Sequence, residues 1–132
     1  MSDENVDVVR RGLFAWQSGA IREMDRIVAP DAEWRPSALS GSNREVYVGP
    51  EGFREWASEM ISRHGELRNE IDEIRDLDDR VLVLGRVVER VEGKTRVDAQ
   101  LAWLFELRDG RVVSGRGFAD PEEAYRIAGL GG

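Results

Sequence analysis

Side chains in the first half of the chain alternate between apolar and polar with the spacing of helices that bury one face. The first helix is expected to end at Ser18–Gly19 and a second, short helix at Pro30. A third helix begins near Pro50 and ends at Gly65. The buried faces of the first and third helices are Val6, Val9, Leu13 and Trp16, and Phe53, Trp56, Ala57, Met60, Ile61 and His64.

After Gly65 the apolar period changes from 3.6 to 2, which predicts β-strands. Four strands are expected, over Leu67–Leu77, Val81–Val91, Thr95–Arg108 and Arg111–Ala119. Asp109–Gly110 is typical of a tight hairpin turn, and Asp120–Pro121 opens a short C-terminal helix. A brief strand, Ala32–Arg35, and a polar loop, Pro36–Arg44, come before the third helix. Helices followed by an antiparallel meander predict an α+β fold.

Composition and charge narrow the class of protein. The 132 residues fit a single domain spanning 1–132. The net charge of −7 disfavours nucleic-acid binding and anionic membrane surfaces, and no apolar run approaches the ~20 residues of a membrane-spanning helix. The chain has no cysteine, and its acidic start lacks the basic residues of a secretory signal. We therefore expect a cytoplasmic protein.

Six segments spread along the chain carry a family pattern: Trp16–Gly19, Pro30–Pro36, Tyr47–Trp56, Asp79–Arg86, Trp103–Val113 and Phe118–Ala124. They resemble the SnoaL-like branch of the nuclear-transport-factor-two-like superfamily. The resemblance implies a cone-shaped α+β fold, in which a curved antiparallel sheet wraps around the N-terminal helices and leaves a pocket at its open end. It implies no single function, because this fold hosts isomerases, polyketide cyclases, epoxide hydrolases and dehydratases.

A homodimer through the convex face of the sheet is implied by the resemblance and supported by one strand. Both faces of Val81–Val91 are apolar, with Val83, Val87 and Val91 on one side and Leu82, Leu84 and Val88 on the other. A strand that is apolar on both sides needs cover on both sides, so we expect a partner subunit to cover one of them.

The catalytic set of the ketosteroid isomerases is missing. The position of their carboxylate base falls on Arg35 or Pro36, that of their acidic hydrogen-bond donor on Trp103, and that of their tyrosine near Gly12. Without a carboxylate base and an acid that donates to the oxyanion, the reaction cannot proceed in that way.

The Asp-Arg-Asp set of the limonene-type epoxide hydrolases keeps only its arginine, Arg86, while Val88 and Gly117 replace the aspartates. The alignment points Arg86 into the cone between Leu84 and Val88. A charge there must be paired or must bind an anion, which makes Arg86 a candidate anchor for a carboxylate, phenolate or enolate. Two alternatives are an ion pair, for example with Asp120, and a register shifted by one residue that leaves Arg86 in solvent.

The pattern indicates an aromatic-rich wall that would suit a flat, apolar or aromatic ligand. The candidate ligand contacts are Trp16, Trp34, Trp56, Met60, Leu84, Val88, Trp103 and Gly117. The alternative for the aromatic residues is ordinary core. Gly117 is expected to face inward and leave room for a ligand, or else to let the strand bend. The Tyr47 phenol is a candidate donor to a ligand oxygen, or else packs its ring and bonds to the backbone.

His64 is the only histidine, and its side chain is the one whose ordinary pKa suits a base near neutral pH. The alternative is a partly exposed histidine stabilised by the end of its helix. No cofactor or metal is expected, because cysteines, a histidine cluster and phosphate-binding glycine motifs are absent. Two hypotheses follow. One is a SnoaL-like pocket protein that binds a small apolar or aromatic molecule and that, if it is an enzyme, is a cofactor-free isomerase or cyclase with Arg86, Tyr47 and His64 as its catalytic residues. The other is a non-catalytic ligand-binding or dimerisation module.

Overall fold

The computed structural model describes residues 2–37, 41–64 and 66–130. Within these residues, four helices and six strands form a mixed α+β fold. In chain order they are α1 (Ser2–Ser18), α2 (Met24–Ile27, preceded by a 3-10 turn, Ile21–Glu23), β1 (Val28–Arg35), β2 (Tyr47–Val48), α3 (Gly49–Arg63), β3 (Glu66–Asp76), β4 (Arg80–Val91), β5 (Lys94–Arg108), β6 (Arg111–Phe118) and α4 (Pro121–Ile127). The predicted α+β class is confirmed.

The six strands form one sheet in the order β2-β1-β6-β5-β4-β3. The last four strands pair antiparallel as the meander that the sequence predicts, and each begins and ends within one residue of the expected position. The Asp109–Gly110 turn has positive φ at both residues, which is the hairpin geometry that this pair favours. Gly65, the predicted end of α3, lies outside the described residues.

The first two strands differ from expectation. The chain leaves the second helix at Val28 rather than at Pro30, and β1 continues from there to Arg35, parallel to β6. Pro30 has no N–H to donate, but it is exposed and lies where the β1–β6 register is irregular, so it interrupts no regular ladder. The two-residue strand β2, which pairs with β1, was not predicted.

The inner face of the sheet packs against the helices. The larger cluster of buried residues joins α1, α2 and α3 to odd-numbered residues of the central strands, among them Val81, Val83, Leu101 and Trp103. On the outer face a smaller cluster brings Ala124 of α4 onto Leu82, Ala102 and Phe118. Helices α1, α2 and α3 therefore lie on the odd-numbered face of β4 and β5, and this choice decides which side chains reach the interior.

Candidate functional site

Two neighbouring cavities lie between the helices and the inner face of the sheet. The first has a volume of about 80 Å³ and walls that are almost entirely apolar, and the second has a volume of about 90 Å³ and several polar side chains in its wall. Five residues line both cavities and therefore form the junction between them: Trp16, Trp34, Trp56, Asn69 and Trp103. We call this set the junction residues.

Three tryptophans of the junction are packed against one another. The Trp16 and Trp56 rings stack with centroids 4.9 Å apart, and the Trp34 ring meets Trp56 edge-on at 5.1 Å. Trp34 comes from β1 and is only 3% exposed. It pairs with Gly115 of β6, where a Cβ would come within 2.8 Å of the Trp34 ring. The absence of a side chain at Gly115 therefore lets the indole lie against the sheet.

The indole N–H groups of Trp34 and Trp56 are both buried and have no hydrogen-bond partner in the part of the chain that the structure describes. Most buried polar groups in proteins are hydrogen-bonded, and an unpaired one costs about 1–3 kcal/mol. Two such donors on side chains in contact with each other are therefore a distinctive feature of this interior.

His64 and Glu89 form a hydrogen-bonded pair in the wall of the second cavity. His64 follows the last turn of α3, and its Nδ1 lies 2.6 Å from Oε1 of Glu89 on β4. The Glu89 side chain is only 2% exposed, while Arg96, 64% exposed, places its Nε 3.5 Å from the other carboxylate oxygen. An ionised carboxylate only accepts hydrogen bonds, so opposite such a carboxylate Nδ1 is the nitrogen that carries the proton, and in a neutral ring Nε2 is the one that can accept a proton.

The sequence identified His64 but missed Glu89. The signal was present, because Glu89 follows Val81, Val83 and Val87 at odd positions of the same strand. An acidic residue that interrupts the apolar face of a strand is either unfavourable or paired, and here it is paired.

The prediction that Arg86 points into the cone is wrong. The predictions that Leu84 and Val88 contact a ligand there are wrong for the same reason. These even-numbered residues lie on the outer face, because their odd-numbered neighbours Val83 and Val87 face the helices. A shift of one residue moves every side chain of a strand to the opposite face, which is the alternative that the sequence left open. Arg86 instead donates two hydrogen bonds to Asp98 Oδ1, at 2.8 and 2.7 Å. These bonds and the charge of Asp98 raise the pKa of Arg86.

Tyr47 is buried, and it is not among the residues that line the two cavities. Its hydroxyl lies 2.7 and 2.8 Å from the two carboxylate oxygens of Glu59, and it accepts a hydrogen bond from the Arg44 N–H at 3.2 Å. Burial and the bond to Glu59 raise the pKa of Tyr47. The structure therefore ties this phenol to α3 and the preceding loop rather than to the predicted ligand site.

Glu59 holds that loop in place. Its Oε1 also accepts a hydrogen bond from the Asn43 N–H at 2.8 Å. Burial alone would raise the pKa of Glu59, but the hydrogen bonds from Asn43 and Tyr47 and the charges of Arg63 and Arg44 outweigh it, so the pKa is lowered.

The remaining candidates are side chains that line the second cavity and one glycine, Gly117. Met60 is buried and lines the second cavity, together with Trp16, Trp34, Trp56 and Trp103. Gly117 faces inward opposite Trp103, as predicted, but it does not leave room for a ligand. A Cβ there would meet the backbone nitrogen of Ser37 at 2.9 Å, so the adjacent loop occupies the space.

Two further observations concern metals and membranes. Among the residues that the structure describes, no three His, Cys, Asp or Glu side chains are grouped so that they could hold a metal ion. No helix in this part of the chain is both long enough and apolar enough to span a membrane.

Solved structures with the same fold cover nearly the whole chain. TerC, co-crystallised with polyporic acid, matches with a TM-score of 0.78 at 19% identity over 96% of this chain and 98% of that one. An NTF2-like protein of unknown function from Burkholderia pseudomallei gives 0.75 at 21% identity, over 95% and 97%. IdmH of Streptomyces antibioticus, for which polyketide cyclisation has been proposed, gives 0.69 at 16%, over 85% and 88%. At these identities the likeness concerns the fold.

No curated protein sequence matches this chain significantly. The SnoaL-like domain family matches residues 9–115, which run from α1 into β6 and include the junction residues and the His64–Glu89 pair. With the NTF2-like fold of its structural neighbours, this match shows that the chain belongs to the SnoaL-like domain family.

Proposed function

We propose that this protein binds a small, flat, largely apolar carbonyl compound between α1, α3 and the sheet, and isomerises or cyclises it without a cofactor. The observation that carries the proposal is the His64–Glu89 pair, since it puts a base and its orienting carboxylate in the wall of a cavity that four tryptophans also line.

The chemistry is general base catalysis. His64 Nε2 takes a proton from the carbon next to the carbonyl group, and the electron pair of that C–H bond forms an enolate. The Glu89 carboxylate stabilises the imidazolium that results. Return of the proton to another carbon of the enolate system gives an isomer. Alternatively, attack of the enolate carbon on a second carbonyl carbon of the same molecule closes a ring, as that C=O π bond opens to an alkoxide that takes the proton back from the imidazolium.

Two of the proteins with this fold support a small-molecule ligand for this chain. TerC was co-crystallised with polyporic acid, and cyclisation of a polyketide has been proposed for IdmH. The aromatic junction residues would offer a flat molecule ring surfaces on several sides.

Cavity size favours a second candidate, a binding module without catalysis. Volumes of about 80 and 90 Å³ are below the roughly 300–1,000 Å³ typical of small-molecule sites, so the tryptophans fill much of the space. A ligand of two fused rings would have to span both cavities and displace some of the junction side chains.

Hydrogen–deuterium exchange at carbon separates the two candidates. The protein is incubated in D₂O with 1-tetralone, a bicyclic ketone, and deuterium at the carbon next to the carbonyl is followed by NMR. We expect exchange above the buffer rate, and a roughly 10²–10⁴-fold lower rate in His64→Gln. The matched control, Arg86→Leu, changes a residue on the outer face and should keep the wild-type rate. Binding without exchange would favour the binding module.

A further inference from the structure

We propose that the indole N–H groups of Trp34 and Trp56 form the site that recognises an acceptor oxygen of the ligand. This inference rests on the proposed function, which supplies the ligand. It adds the chemical group that the ligand must carry and the residues that bind that group.

Both indole donors lack an acceptor. Both nitrogens are buried and have no partner among the described residues, although buried N–H groups are nearly always hydrogen-bonded. Each nitrogen has almost no exposed surface, so an oxygen atom of a ligand would provide the missing acceptor once the junction side chains shift to admit it. An apolar ligand of the same shape would leave both donors unpaired, so the protein should distinguish the two.

The two side chains that carry these donors are in contact with each other. The two rings are in edge-to-face contact with centroids 5.1 Å apart, so both side chains belong to the same small region of the interior. Carbonyl and enolate oxygens have more than one lone pair and can accept two hydrogen bonds at once.

The two cavities differ in the side chains that line them. Trp34 and Trp56 line both cavities, the first cavity is almost entirely apolar, and His64 and Glu89 lie only in the wall of the second. A ligand with its apolar end in the first cavity and its oxygen at the junction would place the neighbouring carbon on the side of His64.

The charges around the interior favour a neutral acceptor over a carboxylate. Glu89 contributes a buried carboxylate to the second cavity, which repels an anion. Arg96 is turned to that same carboxylate and is largely exposed, and Arg86 is paired with Asp98 on the other face. A ketone or quinone oxygen therefore fits better than an acid group.

The test compares 1-tetralone with tetralin, which has the same two rings but no oxygen. Binding is measured by titration calorimetry, and the four indole N–H signals are followed by ¹H–¹⁵N NMR and assigned with single Trp→Phe variants. We expect 1-tetralone to bind roughly tenfold more tightly than tetralin. Its carbonyl should also move the Trp34 and Trp56 signals downfield relative to the tetralin complex.

Trp34→Phe and Trp56→Phe should each reduce the preference for 1-tetralone over tetralin. Trp103→Phe is the matched control, since Trp103 lines both cavities but its N–H is not one of the unpaired buried donors. It should weaken both probes alike. If a phenylalanine variant does not fold, 3-benzothienylalanine at that position replaces the N–H by sulfur and keeps the ring system.

Equal affinity for the two probes, no binding of either, or an unchanged preference in both tryptophan variants would each overturn the inference. No binding of either probe would contradict the proposed function as well. Equal affinity or an unchanged preference would overturn this inference alone. If only the proposed catalysis fails, wild-type protein will keep its preference for 1-tetralone but show no carbon exchange above the buffer rate.

Discussion

His64 Nδ1 and Glu89 Oε1 lie 2.6 Å apart, although 25 positions and the whole of β3 separate the two residues along the chain. The contact joins the end of α3 to the inner face of β4 and makes a lone histidine into an oriented base.

Glu89→Gln should lower the rate of carbon exchange by roughly 10²–10⁴-fold, because glutamine can still hold the ring but carries no charge to stabilise the imidazolium. Arg96→Ala should have a much smaller effect, since Arg96 is mostly exposed and only touches the carboxylate from outside. The rates are measured by NMR under the conditions used for wild type. A wild-type rate in Glu89→Gln would contradict the role given to the pair.

Tyr47→Phe should lower the free energy of unfolding by about 1–3 kcal/mol, because a buried hydroxyl bonded to a carboxylate is lost. The variant should bind 1-tetralone as wild type does, since Tyr47 does not line the cavities. Urea unfolding measures the first quantity and calorimetry the second. Tyr125→Phe, a partly buried tyrosine of α4, serves as the control for loss of a phenol. Weaker binding in Tyr47→Phe would return Tyr47 to the ligand site.

Glu59 should make the free energy of unfolding depend on pH in the acid range. Its pKa in the folded protein is below its ordinary value of 4.5, so the ionised form is favoured by folding. Its contribution is fully present above that ordinary value and is lost as the pH falls through the lower, folded-state pKa. Glu59→Gln should therefore show a shallower loss of unfolding free energy than wild type in this range. Parallel curves for the two proteins would count against the assignment.

Arg86→Leu should leave the melting temperature nearly unchanged and should not weaken the binding of 1-tetralone. In the single chain the Arg86–Asp98 pair is exposed on the outer face, and exposed pairs contribute little to stability. Thermal unfolding and calorimetry check the two expectations. A clear loss of affinity would mean that Arg86 reaches the ligand after all.

We propose, further, that two copies pair through the outer, convex face of the sheet. Light scattering after size-exclusion chromatography should give twice the mass of the chain. Gln100→Arg places a charge on that face and should give monomers, whereas Ser62→Arg, at an exposed position of α3, should not. A wild-type monomer at micromolar concentration would contradict this proposal.

The local pattern of the sequence was enough to define most of the secondary structure. The helical spacing of Val6, Val9 and Leu13 and the long alternation over β3 to β6 were each read from neighbouring residues, and the structure has these elements. The strand at Val28 and the short strand β2 were missed, because their pairing partners are distant in the chain.

The sequence by itself also named His64 and the tryptophans as residues of interest. Only the tertiary structure decided that Glu89 is the partner of His64 and that Arg86 is outside. Alternation divides a strand such as β4 into two sets of side chains, but both sets here contain apolar residues. Which set faces the interior depends on where α1 and α3 pack, and that is settled by contacts between residues far apart in the chain.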